Sequence, residues 1–256
     1  MIASLLSRVS SADIVTEPFP HVCIPDALPA DLYAQLAAHY PGFDRIGWAG
    51  DRAPASNHRF QLSAWPAGNM PDMAPVWRNF LAYHASSAFF AQVVALFADH
   101  WPAALIERCG GSLLGHPMGL ILRDRPSTGM IVQDARFEIN TPVTGPASVS
   151  RGCHLDIPER LFTGLFYMRA NDDTSRGGDL QLFRWRDAPT DITAFEQPDH
   201  AVEAVLTIPY RANQLVLFPQ SINALHGVSM RHPTAHTRRY VFVTAELDRP
   251  WLAAAA

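Results

Sequence analysis

The chain has 256 residues, 48% hydrophobic and 17% charged, with a formal net charge of −4 and a pI near 6.2, which suits a folded protein with one large core and excludes long disorder. No Lys/Arg run occurs, so nucleic acid is excluded as a partner on electrostatic grounds. All 20 basic residues are arginine, which removes every mechanism that needs a lysine, including Schiff-base and P-loop chemistry.

The N-terminus, Met1 to Arg8, is only briefly apolar before Arg8 and Asp13, unlike a secretory signal. No window has a membrane-spanning length without charge, so no membrane association is expected. Cys23, Cys109 and Cys153 are too few and too scattered for a disulfide framework or a structural zinc site. These features predict a cytoplasmic protein.

Helical texture dominates 1–118 and strand texture 119–256, so the pattern predicts an N-terminal helical support region and a β-rich core in one integrated domain. Pro18 to Ile24 reads as a short strand, followed by a helix from Ala30 to His39 that Pro29 can open and Pro41-Gly42 stop. From 43 to 73 the residues turn to Gly, Pro, Asn, Asp and Arg with isolated tryptophans, which predicts an irregular, lid-like segment. Val76, Trp77, Phe80, Leu81, Phe89, Phe90, Val93, Val94 and Phe97 recur every three or four positions over 74–100. That is one long or two consecutive amphipathic helices with a packing face.

Beyond Gly119, short apolar segments alternate with turns: 130–139, 162–168, 180–185, 202–208, 214–218 and 239–245. This spacing predicts a β-sandwich or barrel rather than strand–helix repeats. Asn171 to Gly178 is a strong reversal.

Two motifs carry chemistry. In Gly152-Cys153-His154-Leu155-Asp156, the histidine and aspartate two positions apart face one side of an extended chain, while Cys153 and Leu155 turn away to pack. His226-Gly227-Val228 supplies a second histidine seventy positions later. Two imidazoles and one carboxylate on one face of a metal leave the opposite face open, as in non-haem Fe(II) oxygenases.

The order continues with Phe166-Tyr167-Met168, Gly177-Gly178-Asp179-Leu180, Asn213 to Pro219, His226-Gly227-Val228 and Arg238-Arg239-Tyr240-Val241-Phe242-Val243. On these residues the chain resembles the 2-oxoglutarate- and Fe(II)-dependent oxygenases, in particular their prolyl-hydroxylase-like branch, over roughly 130–246. Pro18 to Pro29 also looks like the start of bacterial members. The resemblance implies a double-stranded β-helix, a cupin-like jelly roll braced by helices. It further implies His154, Asp156 and His226 as ligands of Fe(II), with 2-oxoglutarate as co-substrate and O2 as oxidant. Asp156 matters because halogenating relatives lack this carboxylate, so its presence implies hydroxylation or a related oxidation.

The resemblance also implies a basic residue after the second histidine that anchors the distal carboxylate of 2-oxoglutarate, here Arg238 or Arg239. Arg239, directly before the aromatic that starts the apolar strand, fits the family pattern better. A guanidinium offers a planar two-point grip on a carboxylate. Tyr167 and Thr163, on one face by alternation, are expected to line the co-substrate pocket, and Asn140 is expected to contact the carboxylate bound at the metal.

The implied activity is hydroxylation of a C–H bond in a small polar substrate, amino-acid-like or a natural-product intermediate. Arg45, Trp48, Arg52, His58, Arg59, Arg123, Arg125 and Arg136 are candidates for recognising it. Other readings are a peptidyl-prolyl hydroxylase, a non-redox cupin-like isomerase or binding protein, and a zinc hydrolase with Glu159 as the acid or base.

Overall fold

In the computed structural model, which describes residues 3–47, 54–189 and 191–253, a 3-10 turn at Ser11–Asp13 precedes β1 (Val22–Ile24), α1 (Ala30–Ala38) and α2 (Phe43–Ile46). Next come β2 (Arg59–Leu62), α3 (Ala64–Gly68), α4 (Pro75–His84), α5 (Ser87–Leu96) and α6 (Ala103–Arg108). The remaining elements are β3 (Met118–Leu120), β4 (Ile131–Asn140), β5 (Arg160–Tyr167), β6 (Leu180–Trp185), β7 (Val202–Ile208), β8 (Gln214–Pro219), β9 (His226–Val228) and β10 (Arg238–Leu247). The larger sheet runs β1-β8-β5-β10-β4-β2, with β3 joined to β4 in parallel. The smaller sheet is β7-β6-β9.

Strand alternation sorts the side chains of the larger sheet onto two buried faces. Phe162 and Phe166 of β5, Leu215 and Leu217 of β8, and Val241, Val243 and Ala245 of β10 face the helices. Leu165, Tyr167, Val216, Phe218, Tyr240 and Phe242 face the smaller sheet, where they meet Leu180, Leu182 and Ile208. The strands therefore read as continuous apolar runs, because both of their faces are covered.

The stretch 74–100 forms two helices, with Pro75 in the first turn of α4 and Ser86 capping α5 through the Phe89 amide. Trp77 donates its indole N–H to the Leu36 carbonyl at 3.0 Å and sets its ring 4.6 Å from that of Phe137, an edge-to-face contact. The packing face read from the sequence thus braces the larger sheet.

The expectation of an irregular segment at 43–73 requires correction. It holds α2, β2 and α3, and β2 pairs antiparallel with β4 from Arg59↔Asn140 to Leu62↔Phe137. Four residues are too few to show a period in the sequence, and the pairing comes from the open edge of β4. Trp48 and Arg52 lie outside the described residues. Among the described residues no helix is long and apolar enough to cross a membrane.

His84 is fully buried at the end of α4. Its Nε2 accepts the Leu5 amide at 3.1 Å and its Nδ1 lies 2.8 Å from the Phe80 carbonyl, so the neutral ring meets both partners. Burial lowers its pKa to about 3. Between that value and the ordinary 6.5 the unfolded chain binds a proton that the folded chain refuses, so this residue lowers stability as pH falls, by up to about 1.4 kcal/mol per pH unit. Urea unfolding midpoints measured from pH 7 to pH 5 are expected to fall less steeply for His84→Gln than for the wild type, and an unchanged slope would contradict the assignment.

Candidate metal centre and its cleft

His154 and His226 form an isolated antiparallel bridge, closed by backbone hydrogen bonds of 2.9 and 3.0 Å. Gly227 makes this approach possible, since a Cβ there would stand 2.8 Å from the Gly152 carbonyl and 3.0 Å from the Cys153 nitrogen. The two imidazole centroids lie 4.4 Å apart. Each Nδ1 points at a backbone carbonyl, that of Gly152 at 2.8 Å and that of Ala224 at 3.0 Å. A carbonyl only accepts, so each Nδ1 carries the proton and each Nε2 keeps a free lone pair.

Those Nε2 atoms lie 4.0 Å (His154) and 3.8 Å (His226) from the carboxylate oxygens of Asp156. One ligand atom from each of the three residues falls within 4.8 Å of the others, a grouping suited to one metal ion. Leu155 and Cys153 turn into the core, as alternation predicts. Burial pushes the Cys153 thiol up to about 12, which makes it inert.

Electrostatics prepare the three residues for a cation. Burial, reinforced by the neighbouring His226, lowers the pKa of His154 to about 3 and keeps the ring neutral. Burial works against ionisation of Asp156, but Arg160, the two histidines and the Thr163 hydroxyl outweigh it and hold the carboxyl well below its usual range. Thr163 shares the inward face of β5 with Tyr167, and its hydroxyl donates to Asp156 Oδ2. Cysteine and lysine take no part.

Of the two candidate arginines, Arg238 faces the metal cluster and Arg239 faces away from it. Arg238 has the parity of Tyr240 and Phe242, faces the smaller sheet and lines a narrow pocket together with His154, Asp156 and His226. Arg239 has the parity of Val241 and points to the helices, over the Tyr40 ring at 5.3 Å. The Arg238 guanidinium carbon lies 5.2, 5.0 and 4.8 Å from the ring centroids of Tyr167, Tyr210 and Tyr240, and its Nε donates to the Gly178 carbonyl at 2.8 Å. The Gly177-Gly178 reversal, both residues at positive φ, delivers that carbonyl.

Two orphaned groups border this arginine. The Tyr167 hydroxyl is buried without a hydrogen-bond partner. So are both amide atoms of Asn140, which sits opposite Arg238 across the β10–β4 ladder.

A cleft of about 300 Å³ opens over His154 and Asp156, lined by Arg59, Arg136, Arg151 and Arg160 and by Ile157, Ile192, Phe195 and Phe242. Of the arginines singled out for recognition, Arg59 and Arg136 are here. Arg45 pairs with Asp72 and Arg123 with Asp124, while Arg125 and His58 are exposed outside the cleft. Arg151 and Arg160 were missed, although they flank the His-x-Asp motif by three and four positions. Glu159 is absent from the described lining, which leaves a zinc hydrolase without its acid or base.

No family model matches the sequence, and comparison with curated proteins gives no match. Solved structures do resemble it. The non-haem α-ketoglutarate-dependent epimerase SnoN from nogalamycin biosynthesis is 14% identical, over 89% of this chain and 76% of its own, with a TM-score of 0.51. A prolyl-4-hydroxylase from Pseudomonas putida is 17% identical, over 89% and 92%, with a TM-score of 0.45. A 2OG-Fe(II) oxygenase family oxidoreductase from Burkholderia pseudomallei is 12% identical, over 92% and 88%, with a TM-score of 0.44. Two facing sheets, braced by helices and holding a His-Asp-His cluster at their mouth, give this chain a jelly-roll fold like that of the α-ketoglutarate-dependent epimerase.

Proposed function

We propose that the chain is a 2-oxoglutarate-dependent Fe(II) dioxygenase that hydroxylates an unactivated C–H bond of a small polar molecule. The observation that carries this reading is Arg238, a buried guanidinium that opens on the same pocket as the His-Asp-His cluster. Among the described residues no carboxylate lies within ion-pair distance of it. A buried charge is costly unless an anion meets it, and a cupin-like isomerase or binding protein has no use for one here. The distal carboxylate of 2-oxoglutarate meets that need and also supplies an acceptor for the unpartnered Tyr167 hydroxyl.

In this reading His154 Nε2, His226 Nε2 and Asp156 hold the iron, and Arg238 with Tyr167 holds the co-substrate. Asn140, opposite Arg238 across the β10–β4 ladder, is then an amide available to the bound co-substrate. Iron held there would supply O2 activation, one oxygen atom leaving with the oxidative decarboxylation of 2-oxoglutarate to succinate and CO2 and the other going to a substrate C–H bond as C–OH. The chain supplies orientation and a dry site: backbone carbonyls fix both imidazoles, Thr163 fixes the carboxylate, and apolar side chains of both sheets exclude water. Its three cysteines are unpaired, which supports a reducing compartment such as the cytoplasm.

Succinate formation that requires Fe(II), O2 and 2-oxoglutarate together tests the reading, and turnover without O2 would overturn it. Thr163→Val removes the hydroxyl that orients Asp156 and keeps its volume. Loss of such an outer partner typically costs about 10–100-fold in metal affinity or activity, which a chelator competition titration with Fe(II) would read.

A further inference from the structure

The four arginines of the cleft differ in what neutralises them. Arg136 reaches Glu138 at 2.8 Å and Asp134 at 3.8 Å, and Arg160 reaches Glu246 at 3.1 Å. Arg59 has one carboxylate within ion-pair distance, the far side of the same Glu138 at 3.5 Å, with Tyr240 and Asp156 nearby. Arg151 has no carboxylate within ion-pair distance among the described residues. Its guanidinium lies 3.4 Å from the Phe195 ring centroid, and the nearby Glu196 is already engaged by the Gly152 amide at 2.8 Å.

Arg59 and Arg151 come from different parts of the chain, and the charge of Arg59 opposes that of Arg151. Both line the cleft and also the narrow pocket that holds the metal cluster. Two under-neutralised guanidiniums facing one space make a receptor for an anion. Arg238 already serves the co-substrate, so this second pair is left for another molecule. Apolar surface from Ile192, Phe195 and Phe242 completes the wall.

Resting on the dioxygenase reading above, we propose that Arg59 and Arg151 bind the anionic group, carboxylate or phosphate, of a small organic substrate. Its carbon body lies against Ile192, Phe195 and Phe242. Because the two arginines border the metal cluster, the oxidised carbon is close to the anion along the substrate's own skeleton. A neutral peptide segment offers this pair hydrogen-bond acceptors but no countercharge.

The test uses the full chain loaded with Fe(II) and 2-oxoglutarate in the absence of oxygen. Small carboxylic acids and phosphate monoesters, each matched with a neutral ester or amide of the same skeleton, are titrated in and followed by calorimetry. The expected result is at least one acid that binds about tenfold or more tightly than its neutral partner, a difference of about 1.4 kcal/mol. The carboxylate and phosphate arms show which anion is preferred. Arg151→Gln should erase that difference, and Arg59→Gln should do the same. Arg59 also touches buried Glu138, so Arg59→Lys, which keeps the charge, serves as its folding control.

If no acid outbinds its neutral partner, the proposal is overturned. It is overturned equally if the glutamine variants weaken 2-oxoglutarate as much as the acids, because the pair would then hold the co-substrate. Failure of 2-oxoglutarate itself to bind would instead strike the dioxygenase reading, and that titration is performed first.

Discussion

An Asp156→Ala variant is expected to lose Fe(II)-dependent succinate formation entirely and to bind Fe(II) more than about 100-fold more weakly, beyond the 10–100-fold typical of losing an outer partner. The carboxylate is the only anionic member of the cluster, and two neutral imidazoles cannot offset the dehydration of a divalent ion by themselves. Arg160 keeps Glu246 at 3.1 Å and the Thr244 hydroxyl at 2.6 Å after the change, so the loss should come from the site and not from unfolding. Circular dichroism and metal binding measured on the same preparation separate the two. Retained turnover would remove Asp156 from the mechanism.

The second large effect concerns the paired arginines. Arg238→Met should weaken 2-oxoglutarate binding by about 2–5 kcal/mol, the usual cost of truncating one partner of a buried charge pair, which is roughly 30-fold to several thousand-fold in Kd. Arg239→Met should leave that Kd within a few-fold, because its side chain lies over Tyr40 on the helix side of β10. Anaerobic calorimetry on both variants decides between them. A large loss at Arg239 with none at Arg238 would restore the assignment first drawn from the sequence.

Arg238 and Arg239 mark the limit of what a strand pattern encodes. Alternation predicts that Arg238 and Arg239 face opposite ways, but both faces of β10 are apolar, Tyr240 and Phe242 on one side and Val241 and Val243 on the other. The pattern therefore has no polar face to mark the inside. The strands β4 to β8 and β10 were legible because each is a short run bounded by turn residues, and His154 with Asp156 was legible because the two ligands sit two positions apart in extended chain. Arg59 stood out as one polar residue among several, and its place in the cleft depends on the pairing of β2 with β4.

Arg151 and the 192–195 segment depend on a fold-back that no local period encodes. The connection from β6 to β7 returns to the metal strand, where the Gln197 amide donates to the Cys153 carbonyl at 2.7 Å and Glu196 accepts the Gly152 amide. These contacts span more than forty positions, so they are written in tertiary packing alone. The bond from Thr163 to Asp156 was not legible either, because it forms only where the loop from Asp156 to Arg160 brings the carboxylate back over the first residues of β5.

The central claim is that one pocket holds a metal on His154, Asp156 and His226 and a 2-oxoglutarate carboxylate on Arg238. Anaerobic addition of Fe(II) and then 2-oxoglutarate, followed by visible absorption, tests it most directly. A metal-to-ligand charge-transfer band that saturates at one equivalent of each, and that is lost in Asp156→Ala, is the predicted result. A wild-type protein that binds Fe(II) yet shows no band at saturating 2-oxoglutarate would contradict the account.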